Sequence, residues 1–491
     1  MSTPTQFAAF AAEGYNRIPV VREVLSDLDT PLSVYLKLAD GPNTYLFESV
    51  EGGETWGRYS IIGLPAKRSF HFRGNAFEER ELDVTVAAET LTDPLAKVDD
   101  LRARYRVPKL AELPDFSGGL VGYFGFETIA WIEPKLKDAG KPNVLGVPDA
   151  LLLLSEEVAV FDNLKGRLYL IVHADPAEPQ AYARAQRRLD ELVYRLRHSG
   201  RSYPDVLHPS LVDEADFVSG FSEPEFTAAV RKAQEYIKAG DAFQVVLSQR
   251  MSVPFKARPV DVYRALRALN PSPYMYFLDF GGTQVVGSSP EILVRAKQGR
   301  VTVRPIAGTR PRGADAALDA ALETELLGDA KECAEHLMLI DLGRNDVGRV
   351  AEPNSVTVPQ RFVIERYSHV MHIVSEVQGR LKDGLGFADI FRAVFPAGTV
   401  SGAPKIRALE IIQELEPHKR HIYSGAVGYI NWWGDTDTAI AIRTAVIENG
   451  RLHVQAGAGI VYDSQPAMEW QETLNKGRAL LRAVQQAALG L

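Results

Sequence analysis

The chain has 491 residues, 46% hydrophobic and 24% charged, the proportions of a globular protein with room for two to four domains or one large two-part fold. A net charge of −8 without a long Lys/Arg cluster argues against a nucleic-acid partner, and no apolar run reaches the ~20 residues that span a membrane. Cys333 is the single cysteine, which excludes an intramolecular disulfide framework and a cysteine zinc site. With neither a basic n-region nor a continuous apolar h-region in "MSTPTQFAAFAAEGYNRIPV", a cytoplasmic location is expected.

In chain order, the first part alternates short β-like runs with turns: "TYLFESV", "RYSIIGL", "SFHFRG", "GGLVGYFGFE", "ALLLLSEEVAVFD" and "GRLYLIVHA". A helical period follows in "PQAYARAQRRLDELVYRLRHS". Residues 201–221 are turn-rich and weakly periodic and read as a linker. Ser222 then opens a capping box with Glu225, with Pro224 tolerated in the first turn, and predicts the helix "EFTAAVRKAQEYIKAG". Beyond it strands such as "AFQVVLSQRMSV", "YMYFLDF", "TQVVGSS", "VTVRPIAG", "TAIAIRTAVIE" and "LHVQAGAGIV" mix with helices. The fold class expected is α+β: a smaller sheet-rich region over 1–200, a linker over 201–221, and a large mixed domain over 222–491 with sheets flanked by helices.

Four carboxylates stand out. In "KECAEHLMLIDLGRND" Glu332 and Glu335 are same-face neighbours on a helix, and "PAMEWQETLNKGRALL" repeats the spacing with Glu469 and Glu472. Each pair fits the solvated first turn of an amphipathic helix, where negative charge suits the dipole. The alternative is that the two pairs meet across a cleft and hold a hard cation such as Mg²⁺. "FPAGTVSGAPKIRALEIIQEL" is a Gly-rich loop entering a helix, which suggests an anion site at the helix N-terminus, but its spacing is not that of a Walker A loop. "QAGAGIV" places Gly457 and Gly459 after a strand without the helix of a dinucleotide fold; close backbone approach to a ligand or a bare tight turn both account for them. Arg443 falls inside an alternating apolar strand, as a structural ion pair or as a clamp on a substrate carboxylate. His372 reads as a hydrogen-bonded core histidine or a catalyst.

Together "PIAGTRPRG", "KECAEHLMLIDLGRND", "HVMHIVSEVQGRL", "FPAGTVSGAPKIRALEIIQELEP" and "QAGAGIVYDSQPAMEWQETLNK" resemble the chorismate-utilising enzymes, and among them the anthranilate synthase component I family. The resemblance implies that Glu335 and Glu472 are direct Mg²⁺ ligands, with Glu332 and Glu469 holding waters of the metal shell. It implies that Gly308, Thr309, Tyr423, Arg443 and the amides of Gly457, Ala458 and Gly459 hold chorismate. Glu291 is implied as the general acid for the departing 4-hydroxyl, with His372 and Thr399 at the later elimination.

Two positions separate sister enzymes under the same resemblance. Ala307 stands where aminodeoxychorismate synthase has a nucleophilic lysine, and Gln244 stands where isochorismate and salicylate synthases have a lysine that activates water. Aminodeoxychorismate synthase, a secondary-metabolism anthranilate synthase and a non-catalytic regulator that kept the fold are the alternatives. Cys333 lies within the acidic helix and not on a nucleophile elbow, so a separate glutamine amidotransferase subunit, anthranilate synthase component II, is the implied ammonia source, in a heterotetramer. "LFESVEGGETWGRYSIIG" resembles the segment that binds inhibitory tryptophan, through Ser49, with Pro273, Tyr274 and Met275 of "NPSPYMYFLDF" as a second wall.

Overall fold

The computed structural model describes residues 3–49, 57–137, 140–199, 212–367 and 370–491. Their framework is two antiparallel sheets, each of 12 strands. The first runs from Ile18–Leu25 at one edge, through Arg167–Ala174, Thr44–Glu48 and Tyr274–Asp279, to Arg451–Ile460 and Gln244–Pro254 near the other. The second runs from Ile306–Pro311 and Val370–Arg380, through Ile292–Lys297, Thr436–Ile440 and Ala426–Asn431, to Gly119–Phe124 and the outer strands of the N-terminal region.

The alternation read from the sequence decides the layers, because successive strand side chains point to opposite faces. Val121, Leu153, Val160, Ile171, Tyr276 and Val446 meet in an apolar cluster that draws on both sheets. A second cluster joins the first sheet to helices that include Ala181–His198, Pro259–Leu269 and Pro466–Leu489. A third joins strands of both sheets to helices that include Pro94–Ala103, Ala330–Val350 and Phe387–Val394. The capping box forms as expected: Ser222 N donates to Glu225 Oε2 at 3.0 Å, and the helix spans Glu223–Lys238 before Gly240 at φ +86°.

The expected N-terminal region has no sheet of its own among the described residues. Thr44–Glu48 pairs with Tyr274–Asp279, Met275 opposite Glu48, and Gly119–Phe124 pairs with Ala426–Asn431. Of the expected linker, 201–211 lie outside the described residues, and Val218–Ser219 already pairs with the strand Gln244–Pro254.

Two apolar runs that read as single strands are broken. "VTVRPIAG" is two strands, Arg300–Val303 and Ile306–Pro311, both paired with Val370–Arg380. "TAIAIRTAVIE" breaks between Ile440 and Thr444, where the chain leaves the second sheet for the first. Ser289 to Ile292 crosses between the same sheets in the opposite sense. The crossings are fastened together: Ile440 N donates to Glu291 O at 3.0 Å, Ser289 Oγ to Ile440 O at 2.7 Å, and Ser288 N to Arg443 O at 3.1 Å. Glu291 and Arg443 are therefore brought side by side by the topology.

Candidate active site

The two crossings open onto a cavity of about 710 Å³. Its lining contains Glu291, His372, Thr399 and Gln244, the ligand candidates Gly308, Thr309, Tyr423, Arg443, Gly457 and Gly459, and all four glutamates, Glu332, Glu335, Glu469 and Glu472. Ala458 is the exception: it is fully buried and belongs to the apolar cluster of the sheet.

Glu291 is buried, 5% exposed, and accepts a 2.8 Å hydrogen bond from Thr399 Oγ1. Burial pushes its carboxyl up to about 8, against the pull of Thr399 and of the Arg443 charge. Its acidic form therefore persists at neutral pH, which a proton donor requires. Arg443 sits at φ +49°, an uncommon conformation for a residue with a side chain, because here the chain must turn from one sheet into the other. Burial lowers its affinity for a proton, with Glu291 as the largest opposing influence. No ion pair within 4 Å holds this guanidinium among the described residues, and the structural-pair reading gives way to a cationic group that faces the cavity.

His372 lies in the strand Val370–Arg380, opposite Thr309 in the ladder. Its Nδ1 is 2.9 Å from Gly308 O, which only accepts, so Nδ1 carries the proton and Nε2 is left as an acceptor. Burial holds the imidazole below its usual range, so it is neutral at pH 7. Gly308 itself has φ +66°, and a Cβ there would meet Leu326 at 2.9 Å and Glu332 Oε2 at 3.2 Å. Only glycine lets this backbone lie between the histidine and the acidic helix.

Gly457 and Gly459 lie within the strand Arg451–Ile460 and not after it. Across the ladder, Val246 N and Ser248 N bond away from this strand, to Ser401 O and to Glu416 Oε1. By antiparallel alternation their partners Gly459 and Gly457 also turn their peptide groups away, whereas Ala458 faces Leu247. Two of the three expected amides are thus directed to the open edge. A Cβ at Gly457 would come 2.8 Å from Tyr423 Oη, and one at Gly459 would come 2.6 Å from Gln244 Nε2, so both glycines make room for cavity side chains. In the Gly-rich loop the turn Gly398–Val400 reaches the cavity through Thr399 and Val400, while the following helix starts at Lys405, outside the lining. The expected helix-terminus anion site is not what this loop contributes.

Glu332 and Glu335 occupy the start of the helix Ala330–Val350, capped by Asp329, and Glu469 and Glu472 the start of Pro466–Leu489. Glu332 is raised by burial and then by Glu335, and Glu469 by burial and then by Glu472. Two acids thus resist ionising because burial and a neighbouring carboxylate oppose the charge, and all four offer the oxygen donors that a hard cation takes. Among the described residues no three acidic, His or Cys groups stand close enough to hold a metal. Lys476 instead pairs with Glu472 at 2.7 Å and Arg310 lies 3.8 Å from Glu332. Lys476 also donates to Gly457 O at 3.1 Å and was not among the expected site residues, although its i,i+4 spacing from Glu472 was visible.

A separate cavity of about 380 Å³ brings Ser49, Pro273, Tyr274 and Met275 together. Glu48, next to Ser49, is buried and paired with Arg267 at 3.1 Å. Tyr274 Oη donates to Asp437 Oδ1 at 2.8 Å, and Arg295 is paired with Asp437 at 2.6 Å, two polar lining groups that the sequence did not reveal. Residues 50–56 of the expected segment lie outside the described residues.

Residues 49–482 match the family described as chorismate binding enzyme. The chain is 58% identical over 481 residues to anthranilate synthase component 1 of Pseudomonas aeruginosa, which covers 98% of each chain. It is 54% identical over 498 residues to that of Neisseria meningitidis serogroup A, with 100% of both covered. The crystal structure of anthranilate synthase component I from Streptococcus pneumoniae TIGR4 shares its fold with a TM-score of 0.78 and 38% identity, over 94% of this chain and 99% of that one. A shared fold alone carries no function, but here identity over nearly the whole length accompanies it, and the chain belongs to the chorismate-binding enzymes, in the anthranilate synthase component I family.

Proposed function

We propose that the chain is a Mg²⁺-dependent lyase that converts chorismate and ammonia into anthranilate and pyruvate, the first step of tryptophan biosynthesis. The observation that carries this reading is a buried carboxylic acid beside a guanidinium that has no ion pair within 4 Å among the described residues, in one cavity with two acidic pairs.

Arg443 suits the enolpyruvyl carboxylate, and the outward amides of Gly457 and Gly459 with Tyr423 and Thr309 suit the remaining oxygens. A dianionic substrate facing four carboxylates needs a cation between them. Glu332, Glu335, Glu469 and Glu472 would hold Mg²⁺, which when bound supplies charge neutralisation for the substrate's ring carboxylate. Glu291 gives its proton to the 4-hydroxyl, which departs as water while ammonia attacks ring carbon 2 and the double bonds shift. The product of that stage is aminodeoxyisochorismate. Loss of the proton at carbon 2 and cleavage of the enolpyruvyl C–O bond then release pyruvate and leave the aromatic amine. His372, with Nε2 as acceptor, belongs to this second stage.

Ala307 in the cavity wall has no amine for covalent attack, which favours this reaction over that of aminodeoxychorismate synthase. Ammonia would come from a glutamine amidotransferase subunit in a heterotetramer. The cavity at Ser49 would take tryptophan as a feedback inhibitor, since it joins strands from early and late in the chain and a ligand there biases both. A cytoplasmic location fits this chemistry, and among the described residues no helix is long and apolar enough to cross a membrane. Incubation with chorismate, Mg²⁺ and ammonium at alkaline pH should produce anthranilate fluorescence; its absence would refute the assignment.

A further inference from the structure

The wall between the catalytic cavity and a second, smaller cavity is one side chain thick. The smaller cavity, of about 200 Å³, is lined partly by apolar residues such as Phe126, Ile129, Leu409 and Ile412 and partly by charged ones, Glu127, Lys137, Lys141, Asp149 and Lys419, with Glu416 and Arg420 also in its lining. On the far side Val246, Val400 and Tyr423 line the catalytic cavity. Arg420 is 2% exposed, and its guanidinium carbon lies 4.7 Å from the Phe126 ring centre and 5.7 Å from that of Tyr423. One planar group thus lies between a ring of the small cavity and a ring of the catalytic one. Arg420 donates to Val246 O and Val400 O at 2.7 Å each and to Glu416 at 2.6 and 2.9 Å.

We propose that the smaller cavity is the antechamber through which ammonia reaches the chorismate ring, and that the Arg420–Glu416 pair is the barrier it crosses. The inference rests on the function proposed above. The catalytic cavity must hold a dianion and its metal, so the second, smaller substrate gains from an entry of its own. The nucleophile must also arrive unprotonated, and the apolar part of the lining keeps water from it there. The barrier selects the neutral species. Arg420 repels a cation, and Glu416 offers no free oxygen to hold one, since Oε1 also accepts from Ser248 N at 2.8 Å and Ser248 Oγ at 2.9 Å. Displacement of the guanidinium plane from between the two rings joins the cavities beside Val246, two residues along the strand from Gln244.

The test uses the complex of the full chain with its glutamine amidotransferase subunit. Ala130→Trp fills the chamber from a partly exposed position, and Gln413→Trp does so independently from the helix Lys405–Leu415. Glutamate release and anthranilate formation are measured together, with glutamine or with ammonium as the nitrogen source. With ammonium, which can also enter from bulk solvent, both variants should stay within about twofold of wild type. With glutamine, anthranilate formed per glutamate released should fall roughly tenfold in at least one variant, as nitrogen is lost to solvent. An unchanged ratio in both variants, or an equal loss with both nitrogen sources, would overturn the route. A wild-type complex that makes no anthranilate from ammonium would overturn the underlying function instead.

Discussion

Thr399 Oγ1 donates to Glu291 Oε1 at 2.8 Å, across the gap between the Gly-rich turn and the sheet crossing. The bond favours the carboxylate, while burial favours the acid more strongly and sets the group at about 8. A general acid must be protonated, so activity at fixed free-ammonia concentration should fall as pH rises through about 8. Thr399→Val removes the carboxylate's hydrogen bond and should move that fall to higher pH, and Glu291→Gln should cost about 10²–10⁴ in kcat. Paired pH–rate profiles check this; an unmoved limb in Thr399→Val would detach Glu291 from it.

The same group makes a stability prediction. Its folded-state value lies above that of an exposed glutamate, so the stability it contributes is present at low pH and is lost as pH rises toward about 8. Glu291→Gln should therefore raise the melting temperature relative to wild type more at pH 9 than at pH 5. Calorimetry at the two pH values reads the difference directly, and a pH-independent difference would contradict the burial of an ionising acid.

Arg443 should matter to substrate and little to the fold. Arg443→Lys keeps the charge but loses two-pronged recognition, so KM for chorismate should rise about tenfold or more. A structural ion pair would instead make itself felt as a lowered melting temperature, and thermal unfolding of the variant separates the two roles.

Glu335→Gln should abolish anthranilate formation with either ammonia or glutamine, because the acidic site loses a charged oxygen donor. Near-normal ammonia-dependent turnover would remove Glu335 from the metal site. Titration of Mg²⁺ into the variant, followed by calorimetry, gives a readout apart from turnover.

His372→Ala leaves Gly308 O without its donor and the cavity without the Nε2 acceptor. The elimination should suffer more than the amination, and chromatography should reveal a non-aromatic amino intermediate. Unconverted chorismate alone would assign His372 to the first step or to the fold.

Ser49→Phe should relieve tryptophan inhibition while turnover stays largely intact, since Ser49 lines a cavity separate from the catalytic one. Inhibition curves for both proteins decide it. Unchanged sensitivity in a folded variant would locate control elsewhere.

The sequence made the strands, the capped helices and the residues of the main cavity legible, because period-2 and helical patterns and the motif resemblance are local properties of the chain. Arg443 shows the limit. Its neighbours alternate like a strand on both sides, and only the sheet pairing reveals that the chain changes sheets at that residue. Gly457 and Gly459 leave two readings open, and the structure removes the tight turn: they are strand positions that leave room for Tyr423 and Gln244. Arg420 was invisible for a third reason. Its i,i+4 spacing from Glu416 is local, but its partners at Val246 and Val400 are gathered by tertiary packing, which no spacing announces.

Shared sheets constrain how this chain is made. Thr44–Glu48 finds its neighbour at Tyr274–Asp279, and Gly119–Phe124 must wait for Ala426–Asn431. During synthesis the first two hundred residues leave the ribosome with open strand edges and no partner to close them. One edge is closed only after Tyr274–Asp279 has been made and the other only after Ala426–Asn431, which makes folding slow and dependent on long-range pairing. Exposed edges are also where chains aggregate, so a fragment that stops before Asn431 should be a client for chaperones rather than a small working domain.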